Sequence, residues 1–162
     1  MTRPLEIGTA GIRKRIPHRY PIMLVDRVTE LVPGERLTAL KAVTCNEPWY
    51  RELPESAVDF AYPQVMVIES WCQAAGLLVT EREPNPSAPA GTVMLFGGMA
   101  DIRFHREVFP GDVLEHRVRL LRAVSDAAIF EGESVVAGET VLEVGRVAVA
   151  TRPATELTGA PA

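Results

Sequence analysis

Pro63-Gln64-Val65-Met66-Val67-Ile68-Glu69-Ser70-Trp71-Cys72-Gln73-Ala74-Ala75-Gly76-Leu77-Leu78-Val79-Thr80 reads as one helix that is apolar on nearly every side. A helix of that kind must be covered all round. Pro63 suits its first turn. Its polar residues are Glu69, Ser70 and Gln73, and a spacing of four puts Glu69 and Gln73 on one face, within reach of each other across a turn. A carboxyl on an apolar helix is costly unless it is paired, hydrogen-bonded or protonated, and such groups concentrate where chemistry is done. The competing reading is a carboxyl bonded for structure alone.

Working outward, the flanks of this helix are strands. Before it, Met23–Leu31 and Arg36–Cys45 are rich in β-branched residues and are separated by Val32-Pro33-Gly34-Glu35, so they predict a hairpin. After it, Glu83 to Gly91 is a Pro-rich loop, and Thr92–Phe104 is an apolar strand interrupted by Gly97-Gly98, which predicts a bulge. In Val113–Val124 the residues Leu114, His116, Val118 and Leu120 alternate with charged ones, a strand with one wet face that makes His116 a packed residue. Two further strands, Ala127–Ala137 and Glu139–Thr151, turn at Gly138. One long helix among strands with no βαβ alternation predicts an α+β fold, an antiparallel sheet wrapped around a central helix. Residues 1–151 then form a single domain, and the Pro, Ala, Gly and Thr-rich tail 152–162 is expected to fray.

Composition narrows the function. A net charge of −4 and a sequence pI of ≈ 5.4 argue against nucleic acid as the main partner. The two cysteines, Cys45 and Cys72, form neither a disulfide framework nor a metal-ligand spacing and fit a reducing compartment. No apolar run follows the charges of Met1 to Glu6, and the central helix carries Glu69 and Gln73, so a cytoplasmic protein without membrane or metal is expected. Phosphate loops, paired His ligands and nucleophile elbows are absent from the sequence.

Four segments, in order, carry a resemblance: Pro17-His18-Arg19-Tyr20-Pro21 with Leu24-Val25-Asp26-Arg27-Val28; Asn46-Glu47-Pro48-Trp49-Tyr50; the helix with Glu69, Gln73, Ala74 and Gly76; and Arg103-Phe104-His105-Arg106-Glu107-Val108-Phe109-Pro110-Gly111-Asp112. Together they resemble the FabZ-type (3R)-hydroxyacyl-acyl carrier protein dehydratases, which have the hot-dog fold. The resemblance implies a dimer with the two sheets joined edge to edge, no cofactor, and a site in which a loop His takes the α proton of an acyl thioester while a helix Glu from the other subunit helps the β-hydroxyl leave. Glu69 stands at the family's Glu, with Gln73 beside it. Pro63, Gln64, Val65 and Trp71 are the implied substrate-binding residues, the helix start polarising the thioester carbonyl.

The sequence departs from the family at the His. Counting forward from Asn46 that position falls on Leu53, and counting back from Glu69 on Glu55, because the loop is two residues longer. His18, His105 and His116 belong to other segments. The family's Pro-Gly at the helix start is Pro63-Gln64 here. Three readings follow. A homologous hot-dog partner supplies the His to a composite, heterodimeric dehydratase site in fatty-acid or polyketide synthesis. Alternatively, the chain works without the His, as a thioesterase or with Glu55 or Asp59, beside Glu52, as base. Or it binds an acyl chain or carrier without catalysis. The implied partner is an acyl carrier protein, whose acidic helix wants a basic landing site; Arg103, His105 and Arg106, with Arg13 and Arg15, are the candidates.

Overall fold

The computed structural model describes residues 5–80, 92–124 and 126–153. Seven antiparallel strands form one sheet: β1 (Leu5–Ile7), β2 (Arg27–Val32), β3 (Arg36–Ala42), β4 (Thr92–Phe104), β5 (Val113–Val124), β6 (Ala127–Val136) and β7 (Glu139–Pro153), in the order β1-β2-β3-β5-β6-β7-β4. Two α-helices, α1 (Thr9–Arg15) and α2 (Gln64–Val79), accompany them, with a 3₁₀ turn at Pro48–Tyr50. The sheet curls around α2, which packs on β3, β5, β6 and β7. This is the α+β hot-dog architecture.

Local chemistry explains the joints. Gly34 takes a left-handed φ of 72° in the turn that joins β2 to β3, and pairing runs from Val32 opposite Arg36 back to Arg27 opposite Leu40. In β5, Leu114, His116 and Val118 are buried and their neighbours are not, as period two requires. The sheet-facing side of α2 is closed by Trp71, which is 0% exposed; its indole N–H donates to Arg117 O at 3.3 Å. A close approach explains Gly132 opposite it, since a Cβ there would stand 1.9 Å from Arg117 O. In β4 the register shifts between Phe96 and Gly98, the bulge expected at Gly97-Gly98.

Three differences from the sequence reading stand out. The first strand of the hairpin starts at Arg27 rather than Met23, because the preceding backbone is held by a helix side chain: Leu24 N–H donates to Gln73 Oε1 at 3.0 Å. Strand β1 was not anticipated; it is three residues long and extends the edge beside β2. Strand β7 continues to Pro153, with Arg152 opposite Val93 and Pro153 opposite Thr92, so the first two residues of the expected tail are paired sheet. The rest of the tail and the loop 83–91 lie outside the described residues. Within this one chain Val65 of α2 stays 66% exposed, and one side of the helix faces a cavity, the side that the sheet does not cover.

Candidate active site

That cavity, of about 480 Å³, lies between the open side of α2, the start of β4 and the segment Arg15 to His18. It is the size of a small-molecule pocket. Ile16, Ile68, Met94, Phe96 and Met99 give it apolar walls, and Glu69, Gln73 and His18 bring the polar groups.

Gln73 is the fixed point. It is buried; its Nε2 donates to Ile22 O at 2.7 Å and to Glu69 Oε1 at 2.8 Å, while its Oε1 accepts from Leu24 N–H. Both amide hydrogens are therefore used, and the side chain cannot flip without losing all three bonds. One helix residue thus pins Ile22 and Leu24, just after the Pro17–Pro21 segment, to α2 and orients the carboxyl one turn before it. Glu69 is 36% exposed, and Oε2 has no hydrogen-bond partner among the described residues. That oxygen is the one left for a bound molecule.

His18 is the residue the sequence reading set aside. The clamp carries it to the cavity wall, where its Nε2 lies 3.5 Å from Glu69 Oε1. Its Nδ1 is buried with no partner among the described residues. Burial lowers its pKa, Glu69 pulls it back up, and Arg19 adds to the lowering. The signal available in sequence was the pair of prolines bracketing it, which hold a rigid segment but do not say where it docks. Cys72 also lines the cavity; burial, then the nearby Glu69, push its thiol up to about 12, so it acts as an apolar wall.

Other expected site residues fall elsewhere. Val65 lines the cavity. Pro63 and Gln64 do not: Pro63 is the N-cap, whose C=O accepts from Met66 and Val67, and Gln64 is exposed. Trp71 is corrected outright, since it faces the sheet as core and not the cavity. Glu52, Glu55 and Asp59 are exposed and line no wall of the cavity, and Asp59 caps its own turn through Ala61 N–H at 2.9 Å. The Asn46-Glu47-Pro48-Trp49-Tyr50 segment is structural here: Glu47 pairs with Lys41 at 2.7 Å and accepts from the Tyr62 hydroxyl at 3.1 Å, and burial, with Glu47 beside it, raises the pKa of that phenol.

The basic candidates separate into two groups. Ile102 and Phe104 pack on the core, so Arg103 and His105, alternating with them, point to the outer face of the sheet. There both lie near Glu143, at 3.5 and 3.2 Å, while Arg106 stands 3.5 Å from Asp112 and 3.5 Å from Glu139. Arg15 lines the cavity, whereas Arg13 and Lys14, the latter not among the sequence candidates, stand in the last turn of α1 just before the cavity wall and have no acidic partner among the described residues.

A curled sheet around one helix, with a carboxyl at an apolar cavity, defines the class: a hot-dog protein with a small-molecule-sized pocket beside its central helix. Comparison with solved structures agrees. The chain superposes on the dehydratase heterocomplex ApeI:P from Xenorhabdus doucetiae with a TM-score of 0.73, covering 98% of this chain and 97% of that one at 21% identity. It superposes on the fluoroacetyl-CoA thioesterase FlK with a TM-score of 0.58 at 13% identity, covering 80% of this chain and 93% of that one. At such identities the likeness is one of fold. Sequence takes it further: residues 16–145 match the FabA-like domain family. The chain is 39% identical over 131 residues to the 3-hydroxyacyl-acyl-carrier-protein dehydratase FabZ of Shewanella oneidensis, covering 80% of this chain and 83% of that protein. To FabZ of Thioalkalivibrio sulfidiphilus it is 42% identical over 133 residues, covering 80% and 87%. The chain belongs to the FabA-like, FabZ-type family of hot-dog proteins. No helix among the described residues is long and apolar enough to cross a membrane.

Proposed function

We propose that this chain dehydrates 3-hydroxyacyl groups carried on an acyl carrier protein, with Glu69 as the general acid. The observation that carries the reading is the carboxyl itself: Glu69 stands at the family's Glu, at the wall of an apolar cavity, with Gln73 holding Oε1 and Oε2 left free. A carboxyl held by one oxygen presents the other at a defined place, as a proton donor to a leaving hydroxyl must be. The uncapped start of α2 beside Val65 offers N–H groups to the thioester carbonyl.

The source of the base is the second element. In the composite form of this proposal a homologous hot-dog subunit brings the His, with sheets joined edge to edge; what favours it is that Leu53 and Glu55 stand where this chain's own loop would carry it. ApeI:P, of similar fold, is by its own description a dehydratase heterocomplex.

The test is Glu69→Gln, which keeps shape and hydrogen bonding but has no carboxylic proton to give. Dehydration of a 3-hydroxyacyl carrier thioester, by the chain alone and mixed with a His-bearing FabZ-type partner, is expected to fall by about 10²–10⁴-fold with the fold retained. Full activity in E69Q, both alone and in the mixture, makes the carboxyl structural and defeats the reading. Thioester hydrolysis without dehydration would assign the chain to thioesterase chemistry.

A further inference from the structure

We propose that His18 is the base of this site, supplied by the same chain as the acid. The inference rests on the dehydratase reading, with Glu69 as acid, and replaces the partner's histidine by one already at the cavity. Three observations carry it. His18 lines the cavity wall beside Glu69 and Gln73. Its Nδ1 is shut off from solvent, so Nε2, 3.5 Å from Glu69 Oε1, is the ring nitrogen a substrate can reach. And 3.5 Å is longer than a hydrogen bond, so neither group is locked to the other before substrate enters.

The chemistry balances with these two groups alone. Nε2 takes a proton from C2 of the acyl thioester. The electron pair of that C–H bond becomes the C2–C3 double bond as the C3–O bond breaks. Glu69 gives the Oε2 proton to the departing hydroxyl, which leaves as water. The site then holds an imidazolium and a carboxylate side by side, and one proton passing from His18 to Glu69 restores both. Two groups so close on one wall act on adjacent carbons from one side, which is what C2 and C3 present.

The surroundings suit a base that must start neutral. His18 faces Glu69 from α2, with Arg19 on its own segment and Arg15 and Cys72 on the cavity wall, and burial is the largest influence on its proton affinity. No loop of a second subunit is needed to deliver an imidazole.

The experiment is dehydration of 3-hydroxyoctanoyl pantetheine and of the same acyl group on a carrier protein, by the chain purified alone, across pH. Wild type, His18→Gln, His18→Asn and Glu69→Gln are compared, each checked for native circular dichroism and melting. The expected result is turnover by the unmixed chain, lost about 10²–10⁴-fold in both His18 variants and in E69Q. The acid limb of kcat/KM, set by loss of the neutral imidazole, lies below that of an ordinary histidine in wild type and vanishes from the residual rate of the His18 variants. A merely structural role would scale the rate without erasing that limb. If E69Q is dead and the His18 variants stay within about threefold of wild type, the dehydratase reading survives and this proposal falls. The proposal falls equally if only the mixture with a His-bearing partner turns over and His18→Gln leaves that rate unchanged. No loss in any variant overturns both.

Discussion

Two histidines approach neighbouring residues of α2, His116 at Ser70 and His18 at Glu69, and they share almost nothing but the imidazole. His116, on β5, is 0% exposed and bridges two hydroxyls: its Nε2 lies 2.8 Å from Ser70 Oγ and its Nδ1 2.8 Å from Ser134 Oγ. Ser70 spends its single hydroxyl hydrogen on Val67 O, so His116 must donate from Nε2 and accept the Ser134 hydroxyl at Nδ1. Every polar atom is satisfied, and burial, with a smaller push from Lys41, lowers the pKa to about 3. His18 has one ring nitrogen unpartnered and the other beside a carboxyl at a cavity. The comparison separates a polar group built into a fold from one left open for chemistry. A saturated hydrogen-bond inventory leaves no capacity to take a proton from a substrate, whereas an incomplete one at a cavity wall does.

The sharpest way to test the silent histidine is through stability. Its folded pKa of about 3 lies below the ordinary 6.5, so the neutral form is favoured by folding and the contribution is complete above pH 6.5. As pH falls from there toward 3 the unfolded chain binds a proton that the folded one refuses, and stability is lost. Between pH 7 and about pH 4.5 this single group should cost about 2–3 kcal/mol. Urea unfolding of wild type against His116→Asn at the two pH values checks it: the variant is less stable at neutral pH and its slope is flatter by that amount. Equal slopes would mean that the imidazole titrates in the native state and that the contrast with His18 is false.

A smaller effect is expected at the residue that holds Glu69. Gln73→Leu keeps volume but leaves Leu24 N–H, Ile22 O and Glu69 Oε1 without their partner. The expected loss is about 2–4 kcal/mol of stability, with kcat lower by about 10–100-fold because the carboxyl and the His18 segment lose their common anchor. Melting and steady-state kinetics on the same preparation separate the two. Lost stability with unchanged kcat would place Gln73 with His116, as scaffold.

Where the sequence was readable, it was readable because period and punctuation agreed. The ranges of β4 and β5 coincide with their expected bounds, and α2 falls inside 63–80, since alternation, Pro63 and the Pro-Gly turns all act locally. Ser70 and Trp71 show the limit. On a helix apolar all round, nothing local says which side meets the sheet, so Trp71 was placed in the cavity when its indole is needed at Arg117 O. His18 shows another: the chain four to six residues after it is tied to α2 by the hydrogen bonds between Gln73 and both Ile22 and Leu24, a contact between distant segments that no spacing encodes. Of the site, Glu69 and Gln73 were visible as a pair at i and i+4, and their common partner was not.

The smallest expected effect concerns where a carrier protein lands, and it sharpens the same contrast between satisfied and open groups. Arg103, His105 and Arg106 look basic in sequence, yet Glu143, Asp112 and Glu139 stand within ion-pair distance, and Arg103 points away from the cavity on the outer face of the sheet. Arg13 and Lys14 carry charge without an acidic partner among the described residues and sit one turn before the cavity wall. A partner with an acidic helix is steered by uncompensated charge, not by pairs already closed. Reversal at Arg13 and Lys14 is therefore expected to weaken acyl carrier binding at low salt by about tenfold, and reversal at Arg103 and Arg106 by only about twofold to threefold. Both differences should shrink as salt rises, since exposed charges are screened beyond about 10 Å at 0.1 M. Neither pair should lower the melting temperature noticeably, because exposed ion pairs contribute little. The opposite ranking in a binding titration would move the landing site to the outer face, which faces away from this chain's own cavity. The carrier's acyl chain would then have to enter a cavity on another subunit, and acid and base would have to be sought across the interface after all.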